Sequence, residues 1–355
     1  MKTIPIYNNI EGKLKLPEHI APLENAKFYD HHFQSTEADN LIEFAGRVCY
    51  ESFSQKNTRN SKSYHQHINE VNHRNVQEHY CFNFCCRTDE LHNFINKPGV
   101  WVDPIDGYLS VNINARSANE QVFHSTYINE IIKQILARKC PLASLTEVKN
   151  NFAIDNHISN ICTPENTWYS FFIQSVSRNL SHEFVRHRWR TAVSQRSTRY
   201  VDESSTPWIW HPLVEKYWGE VKNLTDLPER QNALYHGNTL ESLESHCQSL
   251  YTKLCTFLQD RLIESGVDKF TARKQARGAA RGCLGSCLGT EYVFSASIAE
   301  WKHIILSRGN NAADAEIRLI ANEIFDYLAP RHPEIFGNCT KQVAIDGFGY
   351  HIEQK

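Results

Sequence analysis

The sequence predicts a mixed α/β (α+β) protein, and three observations favour this class. The chain has 355 residues, of which 41% are hydrophobic and 11% aromatic, so it can bury a sizeable core. Segments with apolar residues at helical spacing are interleaved with short strand-like segments. The sequence has neither a Gly-x-x-x-x-Gly-Lys-Ser/Thr loop nor a Gly-x-Gly-x-x-Gly motif after a strand, which argues against P-loop and Rossmann folds.

The first elements follow from capping residues and apolar periodicity. Ser35, Thr36 and Glu37 are typical of a helix start, and apolar residues then recur at helical spacing as far as Val48. The next segments predict a polar loop over 51–63, a helix over 64–72, a loop over 73–79 and a strand over 80–85.

The middle of the chain is rich in turn residues. Lys97-Pro98-Gly99 and residues 103–107 predict turns. Residues 108–113 predict a strand. Residues 115–138 predict one long helix, because four isoleucines between 128 and 135 recur at helical spacing.

The last part of the chain predicts mostly helices. Gly309 and Asn310 interrupt the helical pattern, and Asn311 with Asp314 is suited to cap the helix that follows. The other predictions are strands over 168–174 and 291–296, helices over 178–188, 229–264, 269–282, 298–307 and up to 328, a surface loop over 202–229 and an irregular tail after 333.

Composition excludes several functional classes. The chain has 38 Lys+Arg against 40 Asp+Glu, a balance that argues against a protein coating nucleic acid by bulk electrostatics. No apolar run approaches the roughly 18 residues of a membrane span, and the N-terminus lacks a signal-peptide pattern. We therefore expect a cytoplasmic protein. The 11 cysteines form no Cys-x-x-Cys pair, so we expect buried thiols and no metal site.

One basic segment stands out as a candidate ligand site. Between Arg186 and Arg199 there are five arginines and no acidic residue. Arginine forks match phosphate geometry, so an anionic ligand is the simplest explanation, although a solvated basic face would produce the same composition. Ser, Gln and Thr are interleaved with the arginines, which suits a site that also contacts a base.

Two further cationic features come later in the chain. Arg273, Arg277 and Arg281 recur every fourth residue, which places them on one helix face as a ligand-binding stripe or a basic surface. Arg308 ends a predicted helix, where a cation also interacts favourably with the helix dipole.

The ordered motifs resemble those of a known family. Arg186-His187-Arg188 followed by Ser197-Thr198-Arg199-Tyr200 resembles the signature of flavin-dependent thymidylate synthases. The segments 45–50, 73–79 and 176–183 resemble further family motifs. The similar stretches cover about 36–86, 167–205 and 270–336.

The resemblance implies a fold and a reaction. The fold would be a single catalytic domain over 1–355 with a mainly antiparallel sheet covered by helices. The protein would be a homotetramer with active sites between subunits, and its partners would not include nucleic acid. It would convert dUMP to dTMP, with FAD as cofactor, methylenetetrahydrofolate as carbon donor and NADPH as reductant.

The resemblance also implies roles for individual residues. The catalytic residues would be Ser197, Arg199 and Arg308. The dUMP site would contain Glu183, Arg186, Gln195, Ser197, Thr198, Arg199, Arg281 and Arg308. FAD would contact His73, Asn75, Glu78, Arg186, His187, Arg188 and His303. No cysteine lies in a Pro-Cys-His context, so a covalent cysteine route is not suggested.

The sequence departs from the family pattern in three places. The loop between Arg188 and Ser197 has one extra residue. Ser297 and Ala299 stand where many members have Asn and Arg. Residues 87–166 form a probable insertion, in which the Asn-x-Arg at 114–116 either replaces the missing pair or is only a strand-to-helix junction.

These departures keep two alternatives open. One is a related flavin-dependent C5 modification of a pyrimidine nucleotide, such as hydroxymethylation of dUMP. The other is a catalytically silent nucleotide or nucleic-acid binder on the same fold. Flavin content separates the enzymes from the binder, and steeply salt-dependent nucleic-acid binding would favour the binder.

Overall fold

A computed structural model describes residues 20–22, 35–53, 59–105, 107–144, 166–222 and 227–355. The strands are β1 (Ile20–Pro22), β2 (Cys81–Arg87), β3 (Val100–Ile105), β4 (Tyr108–Asn114), β5 (Trp168–Ser177), β6 (Thr191–Gln195), β7 (Gly289–Ser297), β8 (Cys339–Val343) and β9 (Tyr350–Gln354). The helices are α1 (Glu37–Tyr50), α2 (Ser61–Glu70), α3 (Ala115–Glu120), α4 (Thr126–Lys139), α5 (Pro141–Ser144), α6 (Arg178–Phe184), α7 (Pro212–Lys222), α8 (Leu227–Glu264), α9 (Lys269–Ala280), α10 (Ile298–Arg308), α11 (Ala315–Leu328) and α12 (Pro333–Phe336).

The strands form three small antiparallel sheets, which confirms the mixed helix-and-sheet class. The largest has the order β1-β5-β7-β6, the second β2-β4-β3, and the third pairs β8 with β9. Among the described residues, no helix is long and apolar enough to cross a membrane. The single-domain organisation and the insertion stay predictions.

Helices cover both faces of the four-stranded sheet. Successive side chains of a strand point to opposite faces. Accordingly, Phe171 joins an apolar cluster with Trp301 of α10, while the neighbouring Phe172 packs against Phe44 of α1. The sheet thus places α1 on one side and α10 with α11 on the other, and the candidate site residues lie at its ends.

The three-stranded sheet has its own apolar core. The four isoleucines of α4 are buried against Phe84 and Val111 of this sheet, as their helical spacing predicts. The predicted long helix over 115–138 is wrong in one respect, because residues 121–125 separate α3 from α4. There the Asn129 side chain accepts from the Phe123 N–H, and Ser125 caps α4.

Three strands run directly into helices, and each junction is capped by the last strand residue. Asn114, Ser177 and Ser297 accept N–H groups of α3, α6 and α10 at 2.8, 3.1 and 3.3 Å. These junctions fix where α6 and α10, which carry several candidate residues, begin.

Other elements differ from the sequence predictions. The turn over 103–107 is wrong in part, since β3 continues to Ile105 and Gly107, at φ +84°, makes the turn. The loop over 202–229 contains α7 and the start of α8, and the tail after 333 contains α12, β8 and β9. Residues 191–195 form β6, which the sequence did not indicate. Asp314 caps α11, whereas Asn311 accepts the Ile345 N–H.

Candidate functional site

A cleft of about 980 Å³ opens between α1, α2, α9 and the loop after β6. The described residues that line it include five cationic side chains and no carboxylate. The five cations are Arg47, Arg59, Arg199, Arg273 and Lys274, of which Arg47 is paired with buried Glu43 behind the lining at 2.6 Å. An excess of positive charge in a concave surface attracts anions, so the cleft is suited to a phosphorylated ligand.

The signature loop contributes to this cleft because both of its sides are anchored. The Ser197 N–H donates to the Cys49 carbonyl at 3.0 Å, which ties the loop to the end of α1. On the other side, a Cβ at Gly278 would lie 3.8 Å from Arg199 Cγ, so the arginine stem runs along α9. Arg199 is exposed and forms no ion pair within the described parts of the chain.

Two neighbours of Ser197 are held by side-chain hydrogen bonds. The Gln195 amide donates to Ser181 Oγ at 2.9 Å and to Thr290 Oγ1 at 3.1 Å. The Arg281 guanidinium donates to the buried Thr198 hydroxyl at 3.3 Å. Gln195 lines the cleft, whereas Thr198 and Arg281 lie just behind it.

The three arginines of the α9 stripe make different contacts. Arg273 lines the cleft and Arg281 contacts the signature loop, but Arg277 forms an ion pair with Asp202 at 2.9 Å. Lys274, which the sequence analysis missed, lies 5.0 Å above the Tyr200 ring and points into the cleft region. Its position beside Arg273 was the signal available in the sequence.

Two predicted flavin contacts, His73 and Asn75, line the same cleft. The Tyr50 hydroxyl lies 2.8 Å from His73 Nδ1. Burial raises the pKa of Tyr50 and lowers the pKa of His73, so a protonated phenol donates to a neutral imidazole. The remaining ring proton of His73 is therefore on Nε2. Tyr50 was also missed, although it lies in the similar segment 45–50.

The cleft also contains a cysteine, but its environment makes it a poor nucleophile. Burial raises the pKa of the Cys49 thiol to about 11, so it is protonated at neutral pH. The expected absence of a covalent cysteine route stays a prediction.

A second cluster joins the end of α6 to α10. Arg308 donates to Glu183 Oε2 at 2.8 Å and to His187 Nε2 at 3.1 Å. Because Nε2 accepts, the His187 proton is on Nδ1, which faces Glu300 at 3.6 Å. Burial raises the pKa of Glu183, while Arg308 opposes that change. The His303 ring lies 5.6 Å from the His187 ring.

This cluster offers donor atoms for a metal, but its electrostatics disfavour one. Ligand atoms of His187, Glu300 and His303 lie within 4.8 Å of one another. The Arg308 guanidinium, however, already contacts His187 and would repel a second cation. The expected absence of a metal site stays a prediction.

The remaining predicted residues lie outside both groups. Arg186 and Arg188 are exposed on the turn after α6. Glu78 pairs with Arg116 at 2.6 Å. Asn114 is the cap of α3, as expected of a strand-to-helix junction, yet Arg116 does reach the segment 73–79 that carries predicted flavin contacts.

The cationic lining of the cleft is thus suited to an anionic, phosphate-bearing ligand. A family model described as "Thymidylate synthase complementing protein" matches residues 146–334, more than half of the chain. The chain belongs to this family.

Curated relatives agree with the family match. Proteins named flavin-dependent thymidylate synthase from Mycolicibacterium gilvum and Mycobacterium marinum are 31% and 30% identical over 183 and 190 residues, which are 52% and 54% of this chain. These matches span about two thirds of the relatives, 66% and 69% of their lengths. A relative of the same name from Mycobacteroides abscessus is 27% identical over 318 residues, covering 88% of this chain and 85% of that protein.

Solved structures of thymidylate synthase X from Helicobacter pylori with FAD and dUMP are also similar. One is 20% identical and covers 61% of this chain and 85% of its own, and another is 16% identical and covers 90% and 96%. Both have a TM-score of 0.30, so the chain's own geometry remains the basis for its site.

Proposed function

We propose that this chain is a flavin-dependent thymidylate synthase, which methylates dUMP at C5 to give dTMP. FAD is the cofactor, methylenetetrahydrofolate donates the carbon and NADPH is the reductant. The observation that carries the proposal is the cleft, in which five cations without a lining carboxylate accompany His73, Asn75, Gln195 and Ser197. Family membership and the names of the relatives support it.

The nucleotide needs cations for its phosphate and neutral hydrogen-bonding groups for its uracil ring. Arg199 supplies a cation that no carboxylate of the described chain neutralises, and Ser197 and Gln195 supply neutral groups beside it. Thr198 and Arg281 support this loop from behind. Arg186, also proposed for this ligand, is exposed on the turn after α6.

Arg308 is the proposed catalytic cation. Reduction and methyl transfer at C5 build negative charge on a uracil oxygen, and a preorganised cation stabilises it. Glu183 and His187 hold the Arg308 guanidinium from two directions at 2.8 and 3.1 Å. The guanidinium therefore does not have to reorient during the reaction.

The cleft also fits a flavin nucleotide on two grounds. Its volume of about 980 Å³ lies in the range of cofactor sites, roughly 300–1,000 Å³. Tyr64 lines it, and the buried hydroxyl of this residue has no hydrogen-bond partner among the described residues, which leaves a polar group for a ligand at the wall of the cleft. FAD supplies the hydride chemistry when bound. The residues proposed to hold it are His73, Asn75, Glu78, Arg186, His187, Arg188 and His303.

We place these residues in a homotetramer whose active sites lie between subunits. The cleft and the Arg308 cluster are separate groups in one chain, and exposed Arg186 and Arg188 lie on the turn between α6 and β6. Arg281 already contacts the signature loop of its own chain, so a neighbouring subunit that brings its Arg308 to the cleft would complete the dUMP site. We further propose one catalytic domain over 1–355 with 87–166 inserted, located in the cytoplasm.

The mass of the nucleotide product tests the function. Purified protein receives dUMP, FAD, methylenetetrahydrofolate and NADPH without oxygen, and a gain of one methyl group is expected. A hydroxymethyl gain would support the related C5 modification instead. Unchanged dUMP with bound flavin would indicate another acceptor or carbon donor, and unchanged dUMP without flavin would favour the silent binder.

A further inference from the structure

Arg190 lies in the loop that is one residue longer than the family signature, and its conformation is unusual. Its φ is +47°, in the left-handed region that non-glycine residues rarely adopt. It is also only 4% exposed, although it carries a charge. A buried arginine in a left-handed conformation needs surroundings that hold it there.

The surroundings come from the three-stranded sheet. Arg190 donates to both carboxylate oxygens of Asp103, on β3, at 2.9 and 2.8 Å. It also donates to the Asn166 side-chain oxygen. Asn166 in turn donates to Asp103 at 3.0 Å, and its carbonyl accepts from Asn112 of β4 at 3.2 Å. Both contacts to Asp103 come from Nη2 and the contact to Asn166 comes from Nη1, so two guanidinium nitrogens are held and the orientation of the side chain is fixed.

The other side of Arg190 faces the candidate site. Its carbonyl accepts the N–H of Ser297, the cap of α10, at 3.2 Å. Its guanidinium lies 4.4 Å above the Trp189 ring. The next residue, Thr191, donates to the His187 carbonyl at 3.1 Å. One residue thus joins β3 to the turn carrying His187 and Arg188 and to the start of α10.

We propose that Asp103 and Arg190 form a positioning pair through which the three-stranded sheet orients the turn over 187–190 for cofactor binding. Asp103 lies within 87–166, so the pair assigns a task to that segment and to the extra loop residue. The proposal rests on the proposed function for its flavin readout. Neither residue is catalytic, since each acts through the backbone of its neighbours.

Substitutions at Asp103 test the pair without removing volume. Asp103→Asn keeps the shape and loses the charge, while Asp103→Glu restores it. Asp89→Asn is the matched control, because Asp89 pairs with Arg87 in the same segment but the two side chains are 58% and 78% exposed. FAD affinity is measured by fluorescence titration at a temperature where circular dichroism shows every variant folded.

We expect Asp103→Asn to weaken FAD binding by about tenfold, within the range for a charge-assisted hydrogen bond. Asp103→Glu should recover most of the affinity, and Asp89→Asn should match the wild type. If Arg190→Met is combined with Asp103→Asn, the double variant should lose no more than the stronger single one. FAD affinity unchanged in Asp103→Asn, with only a lower melting temperature, would overturn the proposal.

Hydrogen exchange, measured on the protein without FAD, tests the Asp103–Arg190 pair independently of the proposed function. Asp103→Asn should speed amide exchange over 187–191 and at the start of α10, and Asp89→Asn should not. Unchanged protection would refute the pair even in an active enzyme. Faster exchange in Asp103→Asn, found together with a wild-type protein that binds no FAD, would support the pair while the proposed function fails.

Discussion

Replacing Arg199 with alanine should separate ligand binding from folding. The side chain is exposed, runs along α9 at Gly278 and forms no ion pair in the described chain. Removing it therefore deletes little buried surface and leaves no buried partner unsatisfied. We expect the free energy of unfolding to change by less than about 0.5 kcal/mol, as for most surface substitutions.

The effect on dUMP affinity should be much larger. A hydrogen bond to a charged group contributes about 1.5–3 kcal/mol, and each 1.4 kcal/mol changes a dissociation constant about tenfold. The Arg199→Ala variant should therefore bind dUMP about 10- to 150-fold more weakly. Arg199→Lys should retain part of the affinity, because it keeps the charge but loses the planar fork.

Isothermal titration with dUMP and urea unfolding on the same preparations measure both quantities. Arg261→Ala is the control, since Arg261 is 67% exposed on α8 and lies outside the cleft. Equal dUMP affinity in Arg199→Ala and Arg261→Ala would refute the assignment of the cleft to the nucleotide. A loss of affinity accompanied by a matching loss of stability would refute the claim that Arg199 is available for a ligand.

Three further changes probe the surroundings of the site. Glu203→Gln should lower the free energy of unfolding in urea by about 3–5 kcal/mol, because it leaves the buried Arg196 charge unpaired. Burial lowers the pKa of His79 to about 3. The contribution of neutral His79 to the free energy of unfolding is therefore complete above about pH 6.5, and it falls at lower pH because His79 of the unfolded chain becomes protonated. In acid denaturation, His79→Gln should reduce the slope of the free energy of unfolding against pH by up to about 1.4 kcal/mol per pH unit. Arg116→Ala should weaken FAD binding by about 1.5- to fivefold in a fluorescence titration, since its pair with Glu78 is partly exposed.

For each of these three substitutions, one result would contradict the expectation. Glu203→Gln should cost clearly more than Glu264→Gln, which breaks an exposed pair, and equal costs would mean that Arg196 finds another partner. An unaltered acid slope in His79→Gln would show that His79 is not the titrating group. Unchanged FAD and dUMP affinities in Arg116→Ala would end the idea that this residue replaces a missing family arginine.

Much of the fold was predictable because its signals are local. The start of α1 follows from its caps, and α4, α10 and α11 have apolar residues at helical spacing. The short strand β6 was missed because its pairing depends on a distant segment, whereas β8 and β9 form a local hairpin of mostly polar residues. Residues 191–195 pair with β7, about a hundred positions later, and lie in a stretch that composition favours as a ligand loop.

The candidate site was predictable where the motif is contiguous. Ser197, Arg199, His73 and Asn75 share the cleft, as one ligand site would require. Tyr50 was missed because its partner His73 is 23 positions away, and no local pattern reports that contact. Asp103 and Arg190 are 87 positions apart, so residues 103–107 read as a turn and gave no sign of an ion pair.

The ion pairs of other arginines in the chain support the assignment of the cleft as a ligand site. Six buried or half-buried arginines are paired with carboxylates, namely Arg47–Glu43, Arg190–Asp103, Arg196–Glu203, Arg277–Asp202, Arg308–Glu183 and Arg318–Asp346. Arg199 and Arg273 have no such partner in the described chain, yet they face the same cleft. Neighbouring unpaired cations repel each other, and a phosphate of a bound ligand would remove that repulsion. Arg47 also lines the cleft but is paired with Glu43, so the unpaired charges of Arg199 and Arg273 are what favour a ligand site over a solvated basic face.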